Sequence, residues 1–354
     1  MRSPFNTFGM AGPFAGGGGD WRAPYIIGTT KPAFTFDAPA GVYGLDGTKY
    51  ANPASMITFT RASTKTYRNS SGALTTAEVD EMAIDHNGAG DVLGLRVEGD
   101  ATALLLNSAT LSTQNVTVAA VVYVLHFTGT GTVTLTGVST AGPLVGTGTG
   151  ESNRVSLTFT PTAGTLTLTV SGTVSNAQME IATQSSYIPT FGSTVTRAAD
   201  YPFVLTSAFG YSDTVGTLLV EWAAPAIATQ TVARFGASGS SYLTISRAGG
   251  FQNIIRTFNI GFATNQLVAD NSVPGAGVAV DGKYASAWAL NNVAATADGA
   301  AVSTDSVADM VSGFTHLGLG CDGYAATNRL GGHIKRMFYY PERLTNAQLI
   351  TWST

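Results

Sequence analysis

The feature that most constrains the fold is a strict alternation of hydroxylated and apolar residues in the middle of the chain. It runs through residues 155–159 and 165–170, on either side of the turn residues Pro161 to Gly164. A period of two gives each strand one apolar and one polar face. The pattern therefore predicts a β-hairpin, whose apolar positions are Val155, Leu157, Phe159, Leu166, Leu168 and Val170.

Further strands of the same kind surround this hairpin. Val133 and Leu135 lie within a threonine-rich segment at 132–136, and the nearly continuous apolar run 116–127 predicts a strand buried on both faces. Apolar faces on several short strands need a second sheet to cover them. The sequence thus predicts an antiparallel sandwich, and its threonine-rich outer face is ordinary for exposed strands.

The last 150 or so residues carry a second set of strand patterns, separated by Asp-Gly turns at 281, 298 and 322. Many short strands at this spacing predict an antiparallel jelly roll. Thr345 and Gln348 form a capping box that predicts a short C-terminal helix anchored by Leu349. The predicted strands are 216–222, 231–235, 242–246, 254–260, 284–290, 301–303, 314–319 and 332–340.

The fold class predicted from these patterns is all-β. It comprises two antiparallel β-sandwich or jelly-roll domains in tandem, an extended N-terminal arm and the short C-terminal helix. The predicted divisions are the arm at 1–55, a lead-in β segment at 56–110, the sandwich with its seam at 111–200, and the jelly roll at 201–354.

Composition narrows the possible functions. The net charge of −4 argues against a nucleic-acid partner, because phosphate binding needs a basic surface. The one cysteine, Cys321, excludes an intrachain disulfide framework and disfavours a thiol-zinc site. No apolar run is long enough to span a bilayer, and proline and glycine interrupt the N-terminal segment where a signal peptide needs an apolar stretch.

The first 55 residues combine closely spaced prolines, four consecutive glycines at 16–19 and many aromatic residues. Proline and glycine disfavour helix and central strand. The segment is therefore either a loose terminus or an extended arm that buries its aromatic side chains on a partner protein, and we favour the arm. Its candidate anchoring residues are Phe5, Phe8, Phe14 and Trp21.

Several motifs together resemble a signature of tailed-bacteriophage virion proteins. In that family they join a carbohydrate-binding-module-like sandwich to a concanavalin A-like, laminin-G-type jelly roll. The motifs are AQME at 177–180, SYIPT at 186–190, VTRAAD at 195–200, FTRAS at 59–63, G-L-x-x-E-G at 94–99, GTLLVEW at 216–222 and LGGHIKRMFYYPERLTNAQL at 330–349. The chain departs from the family at 100–103, where members often carry arginine, threonine and asparagine and this chain has DATA.

The resemblance implies a virion protein such as a tail fibre, a tail-tip adhesin or a head-surface spike. Such a protein would be assembled in the host bacterial cytoplasm and attach to other virion proteins through its N-terminal arm. It would form a homo-oligomer, with a trimer as the expected state, and bind host surface polysaccharide. The alternative is an assembly protein that binds no glycan, such as a capsid decoration or tail connector component.

Catalysis is not expected from the sequence. Glycoside hydrolases with a jelly-roll fold usually carry E-x-D-x-x-E on one strand. The nearest approach, Glu78 to Glu81, lies upstream of the jelly roll and has Ala83 at the third acidic position. The glycine-threonine run at 146–150 has no following lysine, so it predicts a surface loop and no phosphate site. Four scattered histidines show no metal-binding spacing, namely His86, His126, His316 and His333.

Glycan binding calls for an exposed aromatic side chain beside amides or carboxylates. The sequence candidates are Trp288, Tyr324 and Asn328, although Trp288 also fits a core position in its strand. No cofactor is expected, and calcium is the open alternative because loop carboxylates could hold it. The available carboxylates, which also fit ordinary turn positions, are Asp281, Asp298, Asp305, Asp309 and Asp322.

The seam between the two modules, residues 177–200, carries a further structural prediction. Residues 177–181 alternate as the last strand of the sandwich, and Pro189 ends the pairing because proline cannot donate to a ladder. The segment Thr196-Arg197-Ala198 repeats the sequence Thr60-Arg61-Ala62. We therefore predict that these two segments lie side by side and that Arg197 has a structural role.

Overall fold

The structure, a computed structural model, describes residues 20–182, 184–225, 230–236, 242–248, 252–260, 264–272, 280–307, 312–322 and 328–354. Within these ranges nearly all regular structure is β-strand, and the α-helix described lies at the C-terminal end. The strands pair antiparallel in several sheets. The all-β class predicted from the sequence is confirmed.

From residue 20 onward, the first third of the chain contains nine short strands and two 3-10 helices, at Ala23–Tyr25 and Pro53–Ser55. The strands are β1 (Phe34–Asp37), β2 (Val42–Leu45), β3 (Thr48–Tyr50), β4 (Thr58–Thr60), β5 (Lys65–Arg68), β6 (Leu74–Ala77), β7 (Ile84–His86), β8 (Val92–Val97) and β9 (Ala101–Ala103).

The middle third contains the sandwich strands and two that follow them, with 3-10 helices at Glu151–Asn153 and Thr206–Ala208. The strands are β10 (Gln114–Val118), β11 (Tyr123–Gly129), β12 (Thr132–Gly137), β13 (Leu144–Val145), β14 (Val155–Phe159), β15 (Gly164–Ser171), β16 (Val174–Ile181), β17 (Val195–Arg197) and β18 (Tyr201–Leu205).

Among its described residues, the last third contains ten strands and helix α1 (Asn346–Ser353). The strands are β19 (Val215–Ala224), β20 (Gln230–Gly236), β21 (Tyr242–Ala248), β22 (Gln252–Ile260), β23 (Thr264–Ser272), β24 (Val280–Ala289), β25 (Val293–Ala297), β26 (Ser303–Asp305), β27 (His316–Leu319) and β28 (Gly332–Tyr340).

Two large sheets enclose the core of the C-terminal module. One has the strand order β26-β25-β24-β19-β28-β1-β2-β3, with β8 also pairing β28 and β7 pairing β8. The other has the order β23-β22-β21-β20-β27-β18-β4. The apolar residues between them form one cluster rich in aromatic rings, which includes Phe34, Phe209, Trp222, Phe235, Trp288 and Tyr339.

The extended arm predicted over residues 1–55 is wrong for its second half. Strand β1 pairs with β28, so that Phe34 lies opposite Tyr339 and Phe36 opposite Met337. Both phenylalanines are fully buried. Among the described residues, Pro24 and Pro32 lie before β1 and Pro39 lies in the turn after it, where they interrupt no ladder. These residues therefore complete the jelly roll of their own chain.

Trp21 was predicted to anchor the chain to a partner, and its contacts are internal. Its indole N–H donates to the carbonyl of Gly47 at 2.7 Å. Its ring lies over Gly44, where any Cβ atom would approach within 2.1 Å of the indole. Trp21 thus fastens the residues before β1 onto the β2–β3 hairpin. Phe5, Phe8 and Phe14 lie outside the described residues.

The sandwich has its own apolar core between a sheet ordered β10-β15-β12-β13 and one ordered β14-β11-β16. The hairpin predicted over 155–170 is wrong, because β14 pairs with β11 and β15 pairs with β10 and β12. The chain crosses from one sheet to the other after Pro161. Alternation identified which face is buried, and that face is the same whether the two strands pair or oppose each other across the core.

The single strand predicted over 116–127 is also two strands, because the chain bends at residues 119–122 between β10 and β11. Val121 and Val122 in this bend are exposed. The prediction of burial on both faces is correct for β11, in which every residue is buried. One face of β11 contacts the sandwich core and the other carries His126 toward the seam.

Most of the predicted jelly-roll strands are confirmed, and β28 has the predicted bounds. Three of the strands described within 201–354 were missed, namely β18, β23 and β25. Helix α1 begins with the predicted capping box of Thr345 and Gln348, and Leu349 is fully buried against the outer face of the larger sheet. Among the described residues, no helix is long and apolar enough to cross a membrane.

Candidate functional site

The best-defined polar constellation is a set of buried ions at the joint between the two modules. Asp200 lies at its centre and is fully buried. Its Oδ1 accepts from Arg61 Nη1 at 3.1 Å, and its Oδ2 accepts from Lys65 Nζ at 2.6 Å and from the Glu98 amide at 2.9 Å. Arg61, Lys65 and Glu98 are also buried. Each charge in this group therefore has a partner, as burial requires.

Glu98 is the second anion of this joint network. Its Oε2 lies 3.0 Å from Lys65 Nζ and 3.8 Å from Arg197 Nη1, and its Oε1 lies 2.9 Å from Arg96 Nη2. Burial by itself would raise the pKa of Glu98, but the charges of Arg197, Arg96 and Lys65 lower it well below its usual range. The side chain is consequently held as a carboxylate.

The seam sequence extends the network into the sandwich. Ser186 donates from its amide and its hydroxyl to Glu98, at 2.7 and 2.8 Å. Its neighbour Ser185 donates in the same way to Glu180, at 2.7 and 2.6 Å. Glu180 Oε1 also lies 3.0 Å from His126 Nε2. The two adjacent serines thus bind one carboxylate each, Ser186 that of Glu98 in the lead-in segment and Ser185 that of Glu180 in the sandwich.

His126 is fully buried on β11, and its Nδ1 has no hydrogen-bond partner. Burial lowers its pKa to about 4, although the bond with Glu180 acts in the opposite direction. The ring is therefore neutral at physiological pH. A neutral ring bonded to a carboxylate must carry its proton on Nε2, because that nitrogen has to donate.

The remaining motif residues of the seam make internal bonds as well. The Gln178 side chain accepts from the Ile188 amide at 2.6 Å. The Tyr187 hydroxyl lies 2.8 Å from the hydroxyl of Ser108. The Thr190 hydroxyl donates to the carbonyl of Leu105. The motif SYIPT is therefore a set of internal bonds that fixes the seam against residues 105–108.

A related contact connects the lead-in segment to the jelly roll. His333 on β28 bonds through Nε2 to Asp85 Oδ2 at 2.9 Å, and Arg96 lies 3.5 Å from the same oxygen. Burial would raise the pKa of Asp85, but the bond from His333 and the charge of Arg96 lower it. Gly94 lets β8 approach β28 closely, because a Cβ there would lie 2.3 Å from the Ile334 carbonyl.

The predicted pairing of segments 60–62 and 196–198 is wrong. Strand β17 pairs with β9, and β4 pairs with β18. The two arginines nevertheless converge, because Arg61 binds Asp200 while Arg197 reaches Glu98 and donates to the Gly99 carbonyl at 2.7 Å. The repeated sequence reflects a shared role as buried cations and not a shared ladder.

The sequence-predicted glycan residues do not form one solvent-facing group. Trp288 is fully buried, with its ring 5.8 Å from that of Phe235 and 6.0 Å from that of Tyr339, so its assignment to binding is wrong. Its position in β24 points it into the core. Asn328 is exposed, and its carbonyl accepts from the Thr231 amide. Tyr324 lies outside the described residues.

The candidate calcium ligands that the structure describes are not brought together. Asp281 pairs with Lys335, Asp298 accepts from the Lys283 amide, and Asp322 pairs with Arg329. Asp305 accepts from the Val307 amide two residues on, and Asp309 lies outside the described residues. Within the described ranges, no group of three or more His, Cys, Asp or Glu side chains is placed to hold a metal ion.

Two surface features were not found from the sequence. Phe191 has 76% of its side chain exposed, and it is the one exposed aromatic side chain among the residues whose burial is described. Its carbonyl accepts from the Asn107 amide at 2.8 Å, which fixes the loop that carries it. The second is a pocket of about 310 Å³ beside edge strand β4, lined by residues 54–59, Asp80 and Met82. Strand β16 ends at Ile181, so the prediction that Pro189 ends it is wrong. A phenylalanine followed by Gly-Ser, two residues after Pro189, was the available signal for Phe191.

No protein-family model matches the chain, and no curated protein matches it significantly. Among solved structures, the chain is similar to the NanB sialidase of Streptococcus pneumoniae, with a TM-score of 0.35 and 14% identity over 43% of this chain and 26% of that one. It is also similar to the sialidase of Trypanosoma rangeli, with a TM-score of 0.33 and 15% identity over 43% and 25% of the two chains. The chain thus spans about a quarter of the length of these enzymes.

Proposed function

We propose that this chain is a structural protein of a bacteriophage particle. It acts as an adhesin, in a tail fibre, tail tip or head-surface spike, and binds host surface glycans without cleaving them. One observation supports this proposal above the others. Residues from motifs far apart in the sequence, which resemble those of phage virion proteins, lie in one buried network at the joint, including Arg61, Glu98, Glu180, Arg197 and Asp200.

A rigid joint suits adhesion for a physical reason. Binding a glycan loses less conformational entropy when the surface that contacts it is already fixed. Repeated copies on a particle then convert weak individual contacts into strong attachment, provided that each copy presents its surface at a defined angle. The joint network supplies such a fixed angle between the sandwich and the jelly roll.

Phe191 is the residue that we assign to glycan contact. An exposed aromatic ring can stack on the C–H face of a sugar, and hydroxyl groups nearby can bond its hydroxyls. Ser193 and Thr194 follow in the same loop and are exposed. The bonds of Thr190 and Asn107 hold this loop in place before any ligand arrives.

The absence of cleavage is part of the proposal and rests on where the clustered acids lie. A glycosidase needs two carboxyl groups that flank a bound sugar. Glu98, Glu180 and Asp200 are buried and paired with cations, serines or His126. A polysaccharide chain cannot reach these three carboxylates while the joint is folded.

The first experiment locates the protein. We expect mass spectrometry of gradient-purified phage particles to detect the chain, and labelled antibody to mark it on the particle surface by electron microscopy. Its absence from purified particles would contradict the virion assignment.

The second experiment tests binding on an array of host surface polysaccharides. We expect the wild-type chain to bind and Phe191→Ala to bind about tenfold more weakly, because the stacking contact is lost. Leu290→Ala is the matched control, because Leu290 is 64% exposed on a turn of the other module. This variant should bind as the wild type does.

A particle protein that binds no host polysaccharide would instead support the assembly role. The exposed apolar side chains of Val121, Val122 and Ile181 favour that second candidate. They lie together, because Ile181 is opposite Tyr123 in the sheet and the Ala182 amide donates to the Val122 carbonyl.

A further inference from the structure

The contact between Lys65 and Asp200 places an amine against a carboxyl group in an unusually well-fixed position. Lys65 Nζ lies 2.6 Å from Asp200 Oδ2, although the two residues are 135 positions apart. Lys65 begins β5, which pairs with β6, and the Asp200 amide donates to the Glu98 carbonyl at 2.9 Å. Groups held at this distance react as if at very high concentration.

Water is excluded from this contact. The Lys65 side chain is 2% exposed, that of Asp200 is 0% exposed and that of Glu98 is 3% exposed. Keeping an ammonium and a carboxylate out of water is costly. Their condensation to a neutral amide removes both charges, and the lack of water opposes the reverse reaction.

A proton acceptor is also in place. Glu98 Oε2 lies 3.0 Å from Lys65 Nζ and is held there by the hydroxyl of Ser186 at 2.8 Å. This distance lets the carboxylate take a proton from the ammonium group. The Arg96 carbonyl accepts a further N–H of Lys65 at 3.0 Å, which fixes the direction of the nitrogen.

The carboxyl group of Asp200 is polarised by fixed donors. Arg61 Nη1 lies 3.1 Å from Oδ1, and the Glu98 amide donates to Oδ2 at 2.9 Å. Arg61 is itself held by carbonyls, including that of Glu78 at 2.7 Å. Donors positioned at an oxygen that gains negative charge stabilise a tetrahedral intermediate.

We propose that Lys65 and Asp200 form an intramolecular amide (isopeptide) bond, with Glu98 transferring the protons. Glu98 carries one proton from the Lys65 ammonium group to Oδ2 of Asp200 and returns to its carboxylate form, which leaves a neutral amine beside a neutral carboxylic acid. Nζ then attacks Cγ of Asp200, and the negative charge forms on Oδ1, beside Arg61. Glu98 carries the second amine proton to Oδ2, the Cγ–Oδ2 bond breaks as the carbonyl re-forms at Oδ1, and one water molecule leaves. The step requires no oxidant, reductant or co-reactant.

The bond would close a loop of the chain that contains most of the lead-in segment and the whole sandwich. Lys65 belongs to the lead-in hairpin, and Asp200 immediately precedes β18 of the jelly roll. A covalent link at this position would keep the two modules joined when the surrounding hydrogen bonds break. That property suits a protein exposed outside a cell, but the chemistry does not depend on the proposed function.

Intact mass spectrometry of the full-length chain under denaturing conditions tests the bond. The wild-type mass is expected to be lower than the sequence mass by one water molecule. Proteolysis is expected to yield a branched peptide that joins Lys65 to Asp200. A wild-type mass equal to the sequence mass, after days in the folded state at neutral pH, would overturn the proposal.

The variants make the test specific, and none of them needs to fold for its mass to be read. Lys65→Arg keeps the positive charge and cannot form the amide, so its mass should equal its own sequence mass. Lys49→Arg changes an exposed lysine and should still lack one water. A water deficit that persists in Lys65→Arg, or a branch that maps to Glu98, would also overturn the proposed bond. Glu98→Gln should lack the deficit if Glu98 transfers the protons, and a retained deficit would refute that role.

Discussion

The interior of the jelly roll and the interior of the joint are both shielded from solvent, but their buried side chains are of opposite kinds. Between the two large sheets, the buried side chains are apolar and aromatic, as in the contacts of Phe235 with Trp288 and Tyr339. At the joint, the buried side chains are ions, with Arg61 and Lys65 on Asp200. The jelly-roll interior is stabilised by the hydrophobic effect, which is non-directional, whereas the joint requires a particular partner for every charged group.

The difference determines what each interior can specify. An apolar core tolerates exchanges that keep its volume. A buried ion left without its partner costs several kcal/mol, so alternative arrangements of the joint are strongly disfavoured. The jelly-roll core therefore stabilises a module, whereas the joint network fixes how the modules meet.

The largest expected effect comes from Arg61→Ala. The change leaves Asp200 with one cation fewer and leaves the carbonyls of Ser63 and Glu78 without their donor. We expect unfolding to require about 3–5 kcal/mol less free energy, with sandwich and jelly roll both affected. Chemical denaturation followed by circular dichroism and by tryptophan fluorescence measures this.

Two controls sharpen that comparison. Leu135→Ala in the sandwich core should cost about 2–5 kcal/mol, and the loss should be confined to the sandwich. Arg22→Ala removes a surface pair with Asp20 and should lower the free energy of unfolding much less than either of these changes. A loss from Arg61→Ala no larger than that from Arg22→Ala would show that the joint network contributes no more than a surface ion pair.

A smaller effect is expected from acid, through His126. Its pKa is lowered to about 4 in the folded chain and is about 6.5 when unfolded. Between these values the unfolded chain binds the extra proton, so stability falls as the pH falls. The loss from pH 7 to pH 4 should be about 3 kcal/mol. Thermal unfolding across this pH range measures it.

His126→Gln is the matched variant, because its amide can still donate to Glu180 and it does not titrate. We expect it to reduce the slope of stability against pH between the two pKa values. Part of the slope should remain, because burial also lowers the pKa values of His333 and His316. The steeper loss below about pH 4 should remain, since the pKa values of Glu98 and Asp85 are lowered in the folded chain and their stabilisation disappears when they are protonated. An unchanged slope in His126→Gln would contradict the assignment.

The two interiors also differ in how well the sequence predicts them. Alternation located β14 and β15 because burial of one face imposes a period of two wherever the strand pairs. The same period does not show which strands are neighbours in a sheet, so the pairing of β14 with β15 was predicted wrongly. β1 was missed as part of the jelly roll, because its partner β28 lies about 300 residues away.

The joint could not be derived from local patterns. Arg61, Glu98 and Asp200 lie in separate segments with ordinary surface-like surroundings in sequence, and nothing local marks them as buried. Each of these residues lies in a segment that was noted for its resemblance to phage proteins, and the structural role predicted for Arg197 agrees with its internal bonds. Phe191 was missed because exposure of a single aromatic residue has no periodic signal.

The smallest expected effect concerns a polar contact that is neither core nor joint, the capping box of α1. Thr345→Ala removes the hydroxyl that accepts from the Gln348 amide and should cost about 1 kcal/mol. The helix packs through Leu349 on the outer face of the larger sheet, so the loss should be confined to the jelly roll.

Thr351→Ala, within the same helix and exposed, removes a hydroxyl bonded to the Ala347 carbonyl and should change stability by less than half as much. Equal losses in the two variants, measured by chemical denaturation, would show that the cap contributes nothing beyond helix propensity. A loss from Thr345→Ala as large as that from Arg61→Ala would remove the distinction between an exposed polar contact and a buried one.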